Sequence, residues 1–386
     1  MSNKNLTILG VAAVLMVVWA AIQSRVSSRP GTGSEWPSYL ILGLDTSDIG
    51  GIVVGTGQDA VTLKRKGTDF VVTNKDNYPA VTSKISELIT SCLDIKTAEL
   101  YTDEAAYHED LGVTEGAASG VVKFLTPEPN STVLAGVIIG KSKELGQGSY
   151  VRLVSADKAL SDKVYVASNV PYIGTRPVDY IEQELTSINR EDINSVTVSS
   201  ENGEYTLKGE EDGERVVLES IPAGKKVKAS VCDKVFAALA NFRFDDVRKK
   251  SSGLVFNRRF VCKLKNSAVY TLNIAQEDSK TYVRCQAEFT GAVTRPTKDE
   301  SEEELKKKEA KLKAWDEAQK FAEKHQGWVY EVDETKAKEL TKELSELVED
   351  EQKPEEVKQT EEPNSASVMQ LLSPGGRLSA EPNSVK

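Results

Sequence analysis

The stretch DIGGIVV, residues 48–54, begins a pattern that the chain repeats from DINSVTV, residues 192–198. In each copy, valine-rich runs alternate with glycine-containing turns, which is typical of a meander of antiparallel strands. A helix with apolar residues spaced three and four apart follows each meander, within residues 79–93 and 222–242. That spacing places the apolar side chains on one face, so each helix is predicted to pack on its sheet.

The two copies agree again further along the chain. YVR at residues 150–152 recurs at residues 282–284, and VYV at 164–166 is answered by VYEV at 329–332. The order and spacing of segments recur more strongly than residue identity, so we predict an α+β fold of two tandem repeats. The recurring Tyr and Arg are either repeated ligand contacts or pairs that pack across strands. We favour packing, because a duplicated fold retains its packing pattern.

An almost continuous apolar run extends from Leu6 to Ile22. As a helix it would span about 26 Å, close to the roughly 30 Å hydrocarbon core of a bilayer. We expect an uncleaved single-pass transmembrane anchor, and a cleaved signal peptide is the alternative. The short head before the run leaves little to translocate. We therefore expect a protein of the bacterial inner membrane with its bulk in the periplasm.

The second copy contains a charged insertion, residues 297–326, that has no counterpart in the first. Ser301 and Glu304 have the spacing of a capping box, which predicts the start of a helix. A helix of alternating Glu and Lys is typically a solvated arm. The alternative is a docking arm, with Trp315 and Phe321 as possible contacts for a partner protein.

Composition marks the remaining boundaries. From residue 350 onward the chain is acidic with few large apolar residues, so it cannot bury enough surface to offset the cost of ordering and is predicted to be disordered. The predicted parts are a transmembrane anchor at 1–23, a linker at 24–44, the first repeat at 45–180, the second repeat at 181–349 with its insertion, and a tail at 350–386.

Charge and motifs argue against several classes of function. A net charge of −10 and a pI near 5.1 argue against nucleic acid as a partner. GVIIGKS at 136–142 resembles a phosphate-binding loop, but it has three residues between the glycines instead of four, and these residues belong to a predicted strand. Lys141 and Ser142 are expected to begin a surface turn. The two histidines, His108 and His325, are too far apart in sequence to suggest a zinc site. We predict no enzyme, no metal and no cofactor.

The four cysteines match no familiar disulfide framework. Cys92 and Cys232 lie on apolar helix stripes and are predicted to be buried. Cys262 and Cys285 are predicted on neighbouring strands, where a bridge would be geometrically possible.

Several segments of the chain resemble the bacterial domain of unknown function 4340. The resemblance spans roughly residues 45 to 349, with Phe70 where the family often has tryptophan. It is carried by DI at 48–49, VTLKR at 61–65, DFVV at 69–72, the helix from Pro79, LGV at 111–113, IGK at 139–141, YVR at 150–152 and GWVY at 327–330. The resemblance implies a single-pass envelope protein, often encoded beside ABC transporter subunits of the type linked to gliding motility, and it brings no catalytic residue.

We therefore expect a non-catalytic, membrane-anchored accessory or scaffold component of an ABC-type, gliding-motility-like transport complex. Its expected partners are transporter subunits or other envelope proteins, and the inner membrane through residues 6–22. The alternative is a periplasmic ligand- or glycan-binding module that holds its ligand in a groove between the two repeats.

Overall fold

The structure is a computed structural model that describes residues 38–144, 147–210, 215–249, 253–292 and 301–351. The predicted anchor, most of the linker and nearly all of the predicted tail lie outside these ranges. Within them, no helix combines the length and the apolar character needed to cross a membrane. The anchor at residues 6–22 stays a prediction.

In the described part of the chain, ten strands form the first sheet. They are β1 (Ser38–Tyr39), β2 (Gly51–Val54), β3 (Val61–Lys66), β4 (Asp69–Val72), β5 (Tyr78–Pro79), β6 (Lys96–Thr102), β7 (Gly120–Leu125), β8 (Val133–Ser142), β9 (Ser149–Val154) and β10 (Val164–Ala167). Their order is β1-β6-β10-β9-β8-β7-β2-β3-β4-β5, and every neighbouring pair is antiparallel.

A second, antiparallel sheet contains eight strands within the described ranges. Together with two short flanking pairs, the strands of this half are β11 (Glu184–Thr186), β12 (Ile193–Ser200), β13 (Gly203–Gly209), β14 (Val216–Leu218), β15 (Lys225–Val227), β16 (Phe242–Arg243), β17 (Asp246–Lys249), β18 (Arg258–Leu264), β19 (Ala268–Glu277), β20 (Lys280–Phe289), β21 (Trp328–Val332) and β22 (Val348–Asp350). β11 pairs with β16 and β15 with β22, and the sheet order is β14-β13-β12-β18-β19-β20-β21-β17.

The two sheets share one connection order. Eight strands of the first run β4-β3-β2-β7-β8-β9-β10-β6, and the eight of the second follow the same sequence of connections. The register agrees as well, because Tyr165 lies opposite Val151 and Tyr330 lies opposite Val283. The predicted α+β class with antiparallel sheets is confirmed. The boundaries at 45–180 and 181–349 stay predictions.

The helices of the described chain are α1 (Thr82–Leu93), α2 (Lys158–Ser161), α3 (Ala229–Phe236), α4 (Glu302–His325), α5 (Glu334–Leu340) and α6 (Leu344–Leu347). α1 buries Ile85, Leu88, Ile89 and Cys92, and these intervals of three and four residues form the apolar stripe expected from the sequence. α3 holds the equivalent place in the second copy and buries Cys232, Val235 and Phe236.

The helical segment between residues 334 and 347 is interrupted, and neighbouring side chains explain the break. Arg258 donates from Nη1 to the carbonyl of Thr341 at 2.9 Å, and the Tyr205 hydroxyl donates to the carbonyl of Lys342 at 2.9 Å. These carbonyls would otherwise accept the next intrahelical hydrogen bonds. α5 therefore ends at Leu340, and the chain restarts as α6 before it pairs as β22.

One apolar core extends through both halves of the molecule. At the seam between them, Tyr78 of β5 contacts three aromatic residues of the second half. Its ring centroid lies 4.8 Å from Trp328, 6.2 Å from Phe244 and 6.4 Å from Tyr330. Edge-to-face contacts of this kind add to the free energy of burial. The two repeats therefore meet through a packed aromatic seam.

α4 begins at the predicted capping box, in which Glu304 N donates to Ser301 Oγ at 3.4 Å and Ser301 N donates to Glu304 Oε2 at 3.1 Å. The helix packs mainly on β20. Ala314 and Ala318 are buried, and their small side chains allow a close approach. One side of this helix belongs to the fold, whereas the expectation from charge was a fully solvated arm.

All four cysteines are buried and free. The prediction for Cys92 and Cys232 is confirmed. Cys262 and Cys285 lie on β18 and β20 with β19 between them, so they are not on neighbouring strands as predicted. Burial raises the pKa of the Cys262 thiol to about 12.

Candidate functional site

The first sheet has an outer face, opposite the main core, that its own chain covers. Residues 103–119, which connect β6 to β7, form this covering segment. Leu111 and Val113 of the segment pack on the face in a small second core with Val121, Ile138, Tyr150, Val164 and Val166. The first outer face is therefore apolar and closed.

Arg152 and Lys141 fasten the covering segment through its backbone carbonyls. Arg152 donates from Nε to the carbonyl of Val113 at 2.8 Å. Lys141 donates from Nζ to the carbonyl of Asp110 at 2.8 Å and from its backbone N to the carbonyl of Leu111 at 3.0 Å. Residues 136–142 lie on β8 and not on a loop before a helix, as a phosphate-binding loop would require. Lys141 and Ser142 continue the strand, so the prediction that they begin a surface turn is wrong.

His108 belongs to the same covering segment. Its side chain is only 7% exposed, and Nε2 lies 2.9 Å from the carbonyl oxygen of Asp162. The neighbouring Glu109 and Asp110 are exposed. The histidine therefore anchors the segment to the chain beside β10.

The register of the second sheet identifies the counterparts of this outer face. Arg284 takes the place of Arg152, and its partners across the adjacent strands are Asn273 and then Arg259. In the first sheet the same line runs from Arg152 through Ile138 to Val121. Two apolar positions have become polar or charged.

The connection that could cover the second outer face is short. Eight residues, 250–257, join β17 to β18, whereas seventeen residues, 103–119, join β6 to β7. Of the short connection, residues 253–257 are described, and Phe256 from it reaches the face. Along this line the second outer face is therefore polar, although Tyr282 and Val329 beside it are buried.

Three arginines on this face, Arg248, Arg259 and Arg284, form what we call the arginine row. The Arg284 guanidinium carbon lies 4.2 Å from the ring centroid of Phe256, and that of Arg248 lies 4.3 Å from the ring centroid of Tyr282. Stacking of this kind orients a guanidinium while leaving its N–H groups available at the edge.

The arginine row contains buried donors that no acceptor satisfies among the described residues. They are Nε of Arg284 and both Nε and Nη2 of Arg248. Glu277 approaches Arg248 Nη2 only to 3.8 Å, beyond hydrogen-bond distance. A buried donor without an acceptor costs about 1–3 kcal/mol. Arg152 of the first sheet avoids this cost through the carbonyl of Val113.

A cavity of about 230 Å³ lies at the β17 end of this face, and a cavity of about 360 Å³ adjoins it beside α5. Lys280 and Glu331 line both cavities and pair at 2.7 Å, and Asp246 of the smaller one pairs with Lys75 at 2.5 Å. Ligand pockets are usually about 300–1,000 Å³ and mostly apolar. The charged, self-paired lining here fits a small organic ligand poorly.

His325 and Tyr330 form a buried polar pair next to the seam, with 2.6 Å between Nδ1 and Oη. Burial lowers the pKa of His325 to about 3, and the nearby Lys324 lowers it further in the same direction. Burial also raises the pKa of Tyr330, with a smaller contribution from Tyr78. Both groups are therefore neutral near pH 7, and they belong to the packing of the core.

The two residues predicted as possible partner contacts occupy different environments on α4. The Trp315 side chain is 38% exposed. Phe321 is half-buried, and its ring centroid lies 5.1 Å from that of Tyr270 and 4.2 Å from that of His325. Trp315 remains a surface residue, whereas Phe321 attaches the helix to the second sheet.

The described ranges contain no group of three or more His, Cys, Asp or Glu side chains arranged to hold a metal ion. The features brought together by the fold are instead the arginine row and its aromatic partners. The sequence pattern singled out Arg284 through the repeated YVR segment. Arg248, Arg259 and Phe256 were missed, although aligning the copies on YVR and comparing the lengths of their connections would have pointed to them.

Comparison with known proteins agrees with the family resemblance. Residues 71–255 match the family described as Domain of unknown function (DUF4340). This match supports that family for the segment from β4 to just beyond β17. It includes the covering segment and Tyr78 of the seam. Neither the curated proteins nor the solved structures contain a match to this chain.

Proposed function

We propose that the protein is a non-catalytic, membrane-anchored scaffold or accessory component of an ABC-type transport complex in the bacterial envelope. The observation that supports a binding role is the second outer face, where orienting contacts hold arginines whose donors lack acceptors among the described residues. The family resemblance supports the transporter as the assembly. The apolar run at residues 6–22 would supply the anchor.

The alternative, a periplasmic ligand- or glycan-binding module, would hold its ligand between the repeats. Tyr78, Trp328 and Phe244 pack against one another at that place. An aromatic cluster with centroids 4.8 to 6.2 Å apart leaves no room for a ligand there. This packing favours the scaffold over the module.

Co-purification from membranes tests the proposal. A tagged full-length protein would be extracted in a gentle detergent, and the recovered proteins would be identified by mass spectrometry. We expect ABC transporter subunits to be recovered with the full-length chain. A matched chain lacking residues 1–23 should leave the membrane fraction and lose these subunits. Recovery of the full-length chain as a lone monomer would contradict the scaffold function.

A further inference from the structure

We propose that the outer face of the second sheet docks an acidic, extended segment of a partner protein, held by the arginine row. This inference rests on the proposed scaffold function, since it states the chemistry of the partner that the scaffold would recognise. The same face of the first sheet already carries a covering segment from its own chain.

The first repeat shows how such a face binds a peptide. Its covering segment contains Glu109, Asp110 and Glu115, all exposed. The segment is held mainly through its carbonyls, and Arg152 accounts for one of these contacts at 2.8 Å. An arginine at this register position therefore serves as a donor to a peptide laid across the strands.

Arg284 occupies the same register position without the corresponding acceptor. Its Nε is buried and has no hydrogen-bond partner in the described chain, and Phe256 stacks on its guanidinium. Residues 253–257, the described part of the shorter connection, lie between β17 and β18, where the first repeat has its covering segment between β6 and β7. A carbonyl or carboxylate from another chain would supply what Val113 supplies to Arg152.

The charges of the face favour an acidic partner. The carboxylates of Asp246 and Glu331 are paired with lysines of the same chain at 2.5 and 2.7 Å. Arg259 is exposed, and Arg284 lies two strands away on the same line. Adjacent strands are about 4.8 Å apart, so these arginines are separated by about 10 Å, the length of roughly three extended residues. Carboxylates at such intervals along a peptide would meet both guanidinium groups.

Nucleic acid is the less suitable occupant. The chain has a net charge of −10, and Glu277 and Glu331 lie on the same face as the arginines. A phosphate backbone would bring a dense line of negative charge to these carboxylates. A peptide can place its few carboxylates at the arginines alone.

A fluorescein-labelled peptide tests the inference with the full-length protein. The probe is the peptide GSEASDGSEAG, whose three acids lie three residues apart, and a second probe carries Gln, Asn and Gln in place of these acids. We expect the acidic probe to bind at low salt, as measured by fluorescence polarisation, and the neutral probe to bind about tenfold more weakly. Added salt should weaken the acidic probe's binding.

Variants localise the binding to the arginine row. Arg259→Gln alone, and together with Arg284→Gln, should weaken binding of the acidic probe by about tenfold or more. Arg243→Gln, an exposed arginine on β16, is the matched control and should leave the affinity unchanged. Thermal denaturation checks that each variant is folded. If the double variant unfolds, Arg259→Gln alone still tests the inference. The Arg259 side chain is exposed, so its replacement should leave the protein folded.

Three results would overturn the inference. The first is that the acidic probe binds wild type and Arg259→Gln with equal affinity. The second is that a single-stranded oligonucleotide of equal length binds more tightly than the acidic probe. The third is that the acidic probe binds only after residues 352–386 are removed. The last result would assign the face to the chain's own tail. If these results appear while transporter subunits still co-purify, the scaffold function stands and only this docking surface is wrong.

Discussion

His325 illustrates at the scale of one residue how burial determines a charge state. The side chain is 1% exposed, one ring nitrogen lies 2.6 Å from the Tyr330 hydroxyl, and the other has no partner in the described chain. Protonation would place a positive charge in a buried site where no carboxylate of the described chain contacts that nitrogen. The neutral imidazole is therefore the form compatible with the folded core.

The pH dependence of unfolding should contain the contribution of His325. Its folded pKa of about 3 lies below the value of about 6.5 in the unfolded chain, so the unfolded state binds more protons below pH 6.5. The free energy of unfolding should fall by about 2 kcal/mol from this group between pH 7 and pH 5. Urea denaturation at several pH values measures the slope.

His325→Gln should remove this part of the pH slope, whatever its effect on stability at pH 7. Trp315→Ala, on the same helix, keeps His325 and should retain the wild-type slope. Equal slopes for wild type and His325→Gln would show that the histidine is not held neutral by burial.

Phe321 and Trp315 should differ in what their removal costs. Phe321→Ala removes a ring that packs on Tyr270 and His325, so we expect a loss of about 2–3 kcal/mol in the free energy of unfolding. Trp315→Ala should cost less than Phe321→Ala, about 1 kcal/mol, because Trp315 is 38% exposed. Chemical denaturation of both variants makes the comparison. Similar losses would contradict the placement of α4.

At the scale of elements, local patterns predicted most strands and helices, and tertiary contacts explain the exceptions. The apolar stripe on α1 and the valine-rich runs of β2 and β3 predict which of their side chains are buried. β6 was missed because it is mostly exposed, so its residues show no clear alternation of apolar and polar positions. The break between α5 and α6 depends on Arg258 and Tyr205, which are distant in sequence. No local pattern reports such contacts.

Gly140 determines how closely the covering segment approaches β8. A Cβ atom at this position would lie 2.4 Å from the carbonyl oxygen of Leu111 and 2.7 Å from Cγ1 of Val113. Gly140→Ala should therefore displace the segment and cost about 1–3 kcal/mol. Thermal denaturation and limited proteolysis within residues 103–119 measure the two effects.

Gly116→Ala is the matched control within the covering segment. A Cβ there would meet no atom within 4 Å, so protease sensitivity and melting temperature should match wild type. A Gly140→Ala protein with an unchanged segment would show that the close approach does not hold it.

At the scale of the whole molecule, the seam joins two similar sheets into one core. The duplication was accessible from repeated spacing in the sequence. The seam was not, since Tyr78, Phe244 and Trp328 belong to segments that no periodic pattern connects. The polar outer face could have been suspected from the alignment of the two YVR segments and from the unequal lengths of their connections. Only the register that aligns Arg284 with Arg152 reveals the missing acceptor.

Unfolding should follow one cooperative transition because of the seam. Tyr78 is buried and contacts three aromatic residues of the second half, so Tyr78→Ala should cost about 3–5 kcal/mol. The two halves of this variant should then unfold separately, so that the unfolding transitions followed by different spectroscopic probes no longer coincide. Tyr172→Ala, at a side chain 92% exposed, should change stability by less than about 0.5 kcal/mol. Two transitions in the wild type would contradict a shared core.

The connection over the outer face has seventeen residues in the first repeat and eight in the second. This difference determines whether the binding of a cover to that face depends on concentration. In the first repeat, sheet and cover belong to one chain, so their association has no dependence on concentration and is permanent while the protein is folded. In the second repeat, the cover that we propose comes from another molecule, which would lose translational freedom on binding. Its occupancy would then rise and fall with the amount of partner present. The shorter connection would thus replace a constitutive contact with a conditional one.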